Sequence, residues 1–276
     1  MQVLKTESKF FNPKDTLECG QVFRFKPYLD GYLVFSNDKC CYLYEKEGFT
    51  YIETDNLDYF ENYFDLKTDY QNIYDKVKNY NVDFINNALE YGKGIRILKQ
   101  DIIETAFSFI ISQNNNIKRI QSSIEKICEA LGEKRSFKGE TYYAFPKVEK
   151  LAEVSKEFYR NLGLGYRDGY ILEFAKKLVN GFDLLSLSNL STSDLEKQLT
   201  SIYGIGKKVA DCILLFAYNR YDSFPVDTWI EKLYRENLNG TLTDRNKISI
   251  ELTSKFGNLS GYIQQYVFYF KRLKAL

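Results

Sequence analysis

The apolar residues of this chain change period near Asp55, and that change restricts the fold more than any other feature. Before it come short runs of strand length: Phe23-Arg24-Phe25, Gly31 to Phe35, Cys41 to Tyr44 and Phe49 to Ile52. They are aromatic or β-branched, and Asp30-Gly31, Ser36-Asn37-Asp38 and Glu47-Gly48 between them are turn formers. Short strands joined by short turns predict an antiparallel meander. After Asp55, Leu57, Tyr59, Phe60, Tyr63 and Phe64 fit a helix face, as do Ile73, Val77 and Tyr80. Beyond about Ile95 the chain reads as helical almost throughout. Ile117, Ile120, Ile124, Ile127, Cys128 and Leu131 form one amphipathic stripe. Ser193-x-x-Glu196 has the form of a capping box for a helix reaching about Ile202, and Gly261 to Leu276 is a last helical segment. Strands first and helices afterwards predict an α+β fold. An N-terminal antiparallel sheet domain is expected over residues 1–93, and a mainly α-helical domain over 94–276.

Composition limits the chemistry. The 276 residues include no histidine. That excludes Ser-His-Asp triads, Cys-His pairs, histidine-ligated zinc and a histidine general base. Lys, Asp, Glu, Cys, Tyr and backbone groups remain. The 38 Lys+Arg and 37 Asp+Glu give a net charge of +1, so a nucleic-acid surface must come from uneven placement. Cys19, Cys40, Cys41, Cys128 and Cys212 are odd in number and include no CxxC pair. Neither a disulfide framework nor a four-cysteine metal site is suggested. A reducing, cytoplasmic setting is expected, nucleoid-associated if the source is prokaryotic. No run approaches the ~20 apolar residues of a membrane span, and Met1 to Phe11 lacks the apolar centre of a signal peptide.

The chemistry concentrates between Leu199 and Trp229. One helix runs into Gly204-Ile205-Gly206 and a second starts at once, so the glycines allow a tight hairpin. The N-terminal amides of the second helix suit a phosphate; a plain helix-helix turn with a glycine cap fits the same residues. Phe224-Pro225-Val226-Asp227 is a helix start, in which Asp227 reads first as an N-cap. Lys208 lies in the first turn of the second helix, and a free lysine amine is a nucleophile able to form a Schiff base with a sugar aldehyde. A lysine at one helix start and an aspartate at the next is a more specific pair than either alone.

This glycine hairpin, with Lys208 and Pro225-Val226-Asp227, resembles the helix-hairpin-helix, Gly/Pro, Asp motif of DNA glycosylases. Within that superfamily the chain most resembles the 8-oxoguanine DNA glycosylase/AP lyase family. Gly20-Gln21-Val22-Phe23-Arg24, Ser108-Phe109-Ile110 with Ser112 to Ile117, Leu162-Gly163-Leu164-Gly165-Tyr166-Arg167 and Lys208-Val209-Ala210-Asp211-Cys212 resemble further family segments. They occur in family order along nearly the whole chain.

The resemblance implies excision of 8-oxoguanine from double-stranded DNA, preferably opposite cytosine, followed by AP lyase cleavage through Lys208. The base must be flipped out and its place filled. By resemblance Asn114 fills the gap, Arg119 and Arg167 contact the orphaned cytosine, and Tyr166 wedges beside it. Gly20 offers its carbonyl to the N7–H that guanine lacks. Gln264 reads the Watson–Crick edge, Phe268 stacks on one face of the base and Cys212 packs on the other. Asp227 stabilises positive charge at the sugar. Gly204, Gly206, Lys207, Val209 and Trp229 fall at the DNA backbone, with Lys207 at a phosphate or in solvent. Trp229 stands where the family commonly has histidine, and its indole donates one uncharged hydrogen bond.

No cofactor is required, and the carbonyls of Thr200, Ile202 and Ile205 are a candidate site for a monovalent or divalent cation. A monomer without membrane attachment is expected. Taken without the family, Asn114 to Asn116 read as a polar loop, Phe268 as core and Cys212 as a small buried hydrophobe. Two alternatives remain open: an alkylbase glycosylase of the same superfamily, which lacks the nucleophilic lysine, and a non-catalytic helix-hairpin-helix DNA-binding protein. No cysteine follows Cys212, which disfavours the related iron–sulfur glycosylases.

Overall fold

The structure of the chain, a computed structural model, describes residues 1–274. It opens with strand β1 (Gln2–Glu7), helix α1 (Pro13–Glu18) and strands β2 (Phe25–Tyr28), β3 (Gly31–Ser36), β4 (Lys39–Lys46) and β5 (Phe49–Thr54). The five strands form one antiparallel sheet in the order β1-β5-β4-β3-β2. Strands β3 to β5 of the meander fall where expected, whereas β2 lies at Phe25–Tyr28 and not at Phe23-Arg24-Phe25. The strand β1 and the helix α1 are additions that the sequence reading did not contain. β1 is mostly exposed and has no apolar alternation to betray it.

Period-2 alternation divides the sheet residues between two faces. Val34, Cys41, Leu43 and Ile52 pack with Phe11, Leu17, Phe60, Tyr63 and Phe64, the last three at α2 (Leu57–Tyr63) and its C-cap. Leu33, Phe35, Cys40 and Tyr42 pack on the other face with Phe137 and Tyr142. Those two residues belong to a hairpin inside the region read as helical.

The helical part runs through α3 (Tyr70–Lys78), α4 (Asp83–Tyr91), α5 (Ile102–Ser112) and α6 (Ile117–Leu131) before that hairpin, β6 (Lys134–Phe137) and β7 (Glu140–Tyr143). The hairpin turn has Lys138 at φ 50° and Gly139 at φ 81°, the left-handed pair that matches strand twist. The Tyr142 ring stacks on Phe35 at 5.1 Å and its hydroxyl donates to the Asp38 carbonyl at 2.8 Å. The region is helical almost throughout, as expected, and this hairpin is its one insertion of strands among the described residues.

The chain continues through α7 (Val148–Glu153), α8 (Lys156–Asn161), α9 (Arg167–Val179), α10 (Thr192–Thr200), α11 (Lys207–Phe216), α12 (Thr228–Asn237), α13 (Arg245–Phe256) and α14 (Ser260–Lys274). The expected capping box at Ser193 is corrected. Ser191 is the N-cap of α10: its hydroxyl oxygen accepts from the Asp194 amide at 3.2 Å and donates to the Asp194 carboxylate at 2.8 Å. The last expected helix is α14; Ala275 and Leu276 lie outside the described residues.

Helix α5 lies at the centre, with Glu104 to Ile111 all buried. Glu104 takes the Asn37 amide at 2.6 Å and pairs with the buried Arg24 at 3.4 Å. Burial pushes the Glu104 carboxyl up to about 7, against the pull of Arg24. Arg24 also donates to the Tyr143 carbonyl, so it ties the sheet to α5 and to the hairpin.

Candidate active site

The turn between α10 and α11 needs glycine at one position. Gly204 has φ +88°, and a Cβ there would lie 2.4 Å from Cγ of Tyr170. Gly206 is different: it is the N-cap of α11, with no side-chain cap, and no atom lies within 4 Å of a Cβ placed on it. Its surroundings are open, and the first amides of α11 are unblocked on that side. Together the two glycines close the hairpin and leave its tip approachable by an anionic backbone.

Lys208 and Asp227 line one cleft of about 1600 Å³ together with Gly20, Phe109, Asn114 and Phe268. The Lys208 side chain is half-buried, with its amine 5.6 Å from the Phe109 ring centre. One turn below it Cys212 is buried, its thiol pushed up to about 11 by that burial and pulled back by the Lys208 charge. The thiol is therefore neutral and serves as packing beneath the amine. Asp227 caps α12: Oδ1 accepts from the Trp229 and Ile230 amides at 3.0 and 2.9 Å. Both capping bonds use one oxygen, and Oδ2 has no partner among the described residues. Capping and a role in the cleft are compatible in one carboxylate.

Lys207 is not where the sequence put it. Its ammonium lies 2.9 Å from Glu196 and 3.0 Å from Asp211, and its side chain is only 17% exposed. Burial alone would lower its pKa, but the two carboxylates reverse that and raise it. Burial pushes Asp211 up to about 7, against the attraction of Lys207. The expected phosphate contact or solvated lysine is corrected: Lys207 neutralises a buried acid that also accepts from the Ser249 hydroxyl at 3.2 Å.

Two of the base-pocket candidates lie on α14 and Gly20 packs against it, whereas Cys212 lies on α11; Gly20 and Phe268 line the cleft, and Gln264 and Cys212 are buried behind its lining. Gln264 and Phe268 stand one turn apart on α14, and Cε1 of Phe268 lies 3.3 Å from a Cβ placed on Gly20. Gly20 has φ +92°. Its neighbours fix it there: Gln265 donates to the Cys19 carbonyl at 2.9 Å, and Gln21 donates to Thr16 and Arg96 carbonyls at 2.9 and 2.7 Å. The glutamine of the Gly-Gln-x-Phe-Arg segment is thus a buried strut for the glycine before it. Gln264 is buried; its amide nitrogen reaches the Pro225 carbonyl at 3.4 Å while Oε1 has no partner among the described residues. Gly20→Ala is expected to slow base release about tenfold, since it strains the backbone and crowds Phe268; single-turnover excision at saturating enzyme measures it.

The three asparagines divide their work. Asn116 caps α6 through the Arg119 amide at 3.0 Å, and Asn115 donates to the Ile111 carbonyl at 3.2 Å. Asn114 is exposed in the cleft at φ +45°, its side chain without a partner among the described residues. Gln113, which the sequence reading passed over, joins this loop to the hairpin by donating to the Gly204 carbonyl at 2.8 Å. Arg119 is exposed and reaches the Gly163 carbonyl at 3.2 Å. Tyr166 is 53% exposed, with the Arg167 guanidinium 4.6 Å from its ring centre. Arg167 itself is buried and donates to the carbonyls of Gln113, Asn114 and Leu164. In this conformation it braces the loop from behind and is not presented to the cleft.

Trp229 is partly exposed at the cleft, and Val209 of α11 is a buried residue of its wall. At the hairpin the Ile202 carbonyl accepts from the Ile205 amide at 3.0 Å and keeps a second lone pair. Main-chain oxygens of this kind suit a hard cation, and among the described residues no acidic cluster offers a competing metal site.

A glycine hairpin with a half-buried lysine at its second helix, an aspartate at the next helix start and a cleft against a capped sheet define a helix-hairpin-helix DNA glycosylase. Residues 107–256 match the HhH-GPD superfamily of base excision DNA repair proteins, and residues 2–106 match the 8-oxoguanine DNA glycosylase N-terminal domain. The chain belongs to the 8-oxoguanine DNA glycosylase family. Among solved structures it resembles the Clostridium acetobutylicum 8-oxoguanine glycosylase/lyase in complex with double-stranded DNA containing cytosine opposite to 8-oxoG. The TM-score is 0.93 at 32% identity, over 100% of this chain and 99% of that one. Among curated relatives, the Methanothermobacter thermautotrophicus "Probable N-glycosylase/DNA lyase" is 30% identical over 78% of this chain and 75% of its own length. The Saccharomyces cerevisiae N-glycosylase/DNA lyase is 32% identical over 64% of this chain and 56% of its own length.

Proposed function

We propose that this chain excises 8-oxoguanine from duplex DNA, with a preference for cytosine opposite the lesion, and then nicks the strand through a Lys208 Schiff base. It is a DNA glycosylase with AP lyase activity. The observation that carries the mechanism is the shared cleft of Lys208 and the uncapped Oδ2 of Asp227, with Gly20 and Phe268 on its wall.

The flipped base stacks on Phe268. The Gly20 carbonyl accepts its N7–H, which discriminates because guanine presents a bare acceptor there and leaves two oxygen and nitrogen lone pairs opposed. The unpartnered Oε1 of Gln264 accepts from the amide edge of the purine. The Lys208 nitrogen attacks C1′, the C1′–N9 bond breaks, and Asp227 stabilises the positive charge that develops at the sugar. Loss of a C2′ proton from the Schiff base then expels the 3′ phosphate. Asn114 enters the vacated space, and Arg119, Tyr166 and a re-aimed Arg167 meet the estranged base. The partner is double-stranded DNA, and the monomer suffices because every one of these groups comes from a single chain. Among the described residues no helix is long and apolar enough to cross a membrane.

Excision rates against C, A, G and T opposite 8-oxoguanine test this reading. Release is expected to be fastest opposite cytosine. Equal rates with all four would remove the preference, and no release with any of them would remove the substrate.

A further inference from the structure

The stripe of α14 that carries Gln264 and Phe268 continues for one more turn. Positions 264, 268 and 272 follow at intervals of four, so Arg272 stands next on the same face. Its guanidinium lies 5.6 Å from the Phe268 ring centre. One end is tethered: Nη2 donates to the Glu18 carbonyl, two residues before Gly20. The other end is not. Nη1 is buried and has no acceptor among the described residues. That nitrogen lies 3.0 Å from a Cβ placed on Gly20, so the absence of a side chain at position 20 is what admits it. Arg272 also lines the cleft that holds Lys208 and Asp227. Buried donors are ordinarily satisfied. An orphaned guanidinium nitrogen at the wall of a substrate cleft calls for an acceptor that arrives with the substrate.

We infer that Arg272 is a further specificity-determining and catalytic residue: its Nη1 donates to O8 of the flipped 8-oxoguanine. The inference rests on the 8-oxoguanine reading above. If the Gly20 carbonyl takes N7–H, a donor beside Gly20 meets an oxo group flanking that position. O8 is bonded to the carbon that joins N7 to N9. Guanine has only hydrogen there, so a donor aimed at O8 finds no acceptor in the undamaged base. The contact also tightens during reaction. As the Lys208 nitrogen bonds to C1′, the electron pair of the C1′–N9 bond passes to N9 and delocalises through C8 onto O8. A cationic donor at O8 binds that charge more strongly in the transition state than in the ground state. The proton shed by the Lys208 nitrogen then neutralises the departing base.

The test compares wild type, Arg272→Met and Arg272→Lys on three duplexes under single-turnover conditions. One carries 8-oxoguanine, one carries 2-amino-8-oxopurine, which keeps N7–H and O8 but lacks O6, and one carries a pre-formed abasic site. Arg272→Met is expected to slow release of both bases about tenfold or more, and Arg272→Lys to recover part of the loss. Strand cleavage at the abasic site, where there is no base to contact, is expected to persist. Unchanged base release in Arg272→Met overturns the inference, and so does a loss confined to 8-oxoguanine, which would move the contact to O6. Equal loss at the abasic site also overturns it, by assigning Arg272 to the fold. Failure of the wild type to release 8-oxoguanine counts against the substrate instead.

Discussion

Lys208→Gln is expected to yield no covalent adduct when an 8-oxoguanine duplex is treated with borohydride, and to release base at least ~10³-fold more slowly than wild type. Glutamine keeps the first two methylenes of the stem, and the buried residues of α11, Val209 to Phe216, are untouched. What it removes is the amine, and no neighbouring group replaces it. Lys207 is adjacent in sequence, but its ammonium is held at 2.9 Å from Glu196 and 3.0 Å from Asp211. Drawing it into the cleft would leave Asp211, which is 2% exposed, as an uncompensated buried acid. Binding of lesion duplex by the variant is expected to persist, because the hairpin amides and Gly206 are unchanged. Lys207→Gln, in contrast, is expected to retain trapping. An adduct that survives Lys208→Gln would transfer the nucleophile to another lysine and sink the assignment.

The parts of this site that the sequence made legible share a property: one local demand admits few residue types. Gly204 can be read because a hairpin between helices forces a positive φ, and Tyr170 closes the space a Cβ would need. Asp227 can be read because a helix start after Pro225 calls for a capping oxygen, and the second oxygen comes with it. Lys208 stands out through its place one residue into the helix that follows. The strands β3 to β5 follow from aromatic and β-branched runs divided by turn formers.

Where the sequence fell short, the deciding partner lies far away in the chain. Lys207 and Lys208 look alike until Glu196 and Asp211 claim the first of them. Arg167 reads as a free cation after a glycine turn, yet carbonyls some fifty residues earlier take its donors. Gln113 matters only because Gly204 offers it a carbonyl from the hairpin. Arg272 falls beyond the last residue of any motif, and its orphaned nitrogen is visible only against Gly20. The hairpin β6–β7 did leave a local trace in Lys138-Gly139, but strands of four residues between long helices do not outweigh the surrounding period. Ser191, Thr192 and Ser193 are all competent caps, and the helix uses the first.

Asp227 offers the second large effect, and two substitutions separate its roles. Asp227→Asn retains an oxygen that can accept from the Trp229 and Ile230 amides, so α12 keeps its cap and the melting temperature is expected to hold. The charge is lost, and base release is expected to slow ~10²- to 10³-fold, the range seen when one preorganised electrostatic group is removed from a transition state. Asp227→Ala loses the cap as well. It is expected to match the asparagine variant in activity while giving up about 1 kcal/mol of stability. Thermal melts and single-turnover excision on the same preparations read the two effects independently. If Asp227→Asn releases base at the wild-type rate, the carboxylate is a cap and nothing more, and the charge that develops at the sugar must be met elsewhere. If both variants lose activity only in step with stability, α12 positions the cleft and Oδ2 has no part in the reaction. The geometry favours neither outcome, because it spends both capping bonds on Oδ1 and leaves Oδ2 to the cleft.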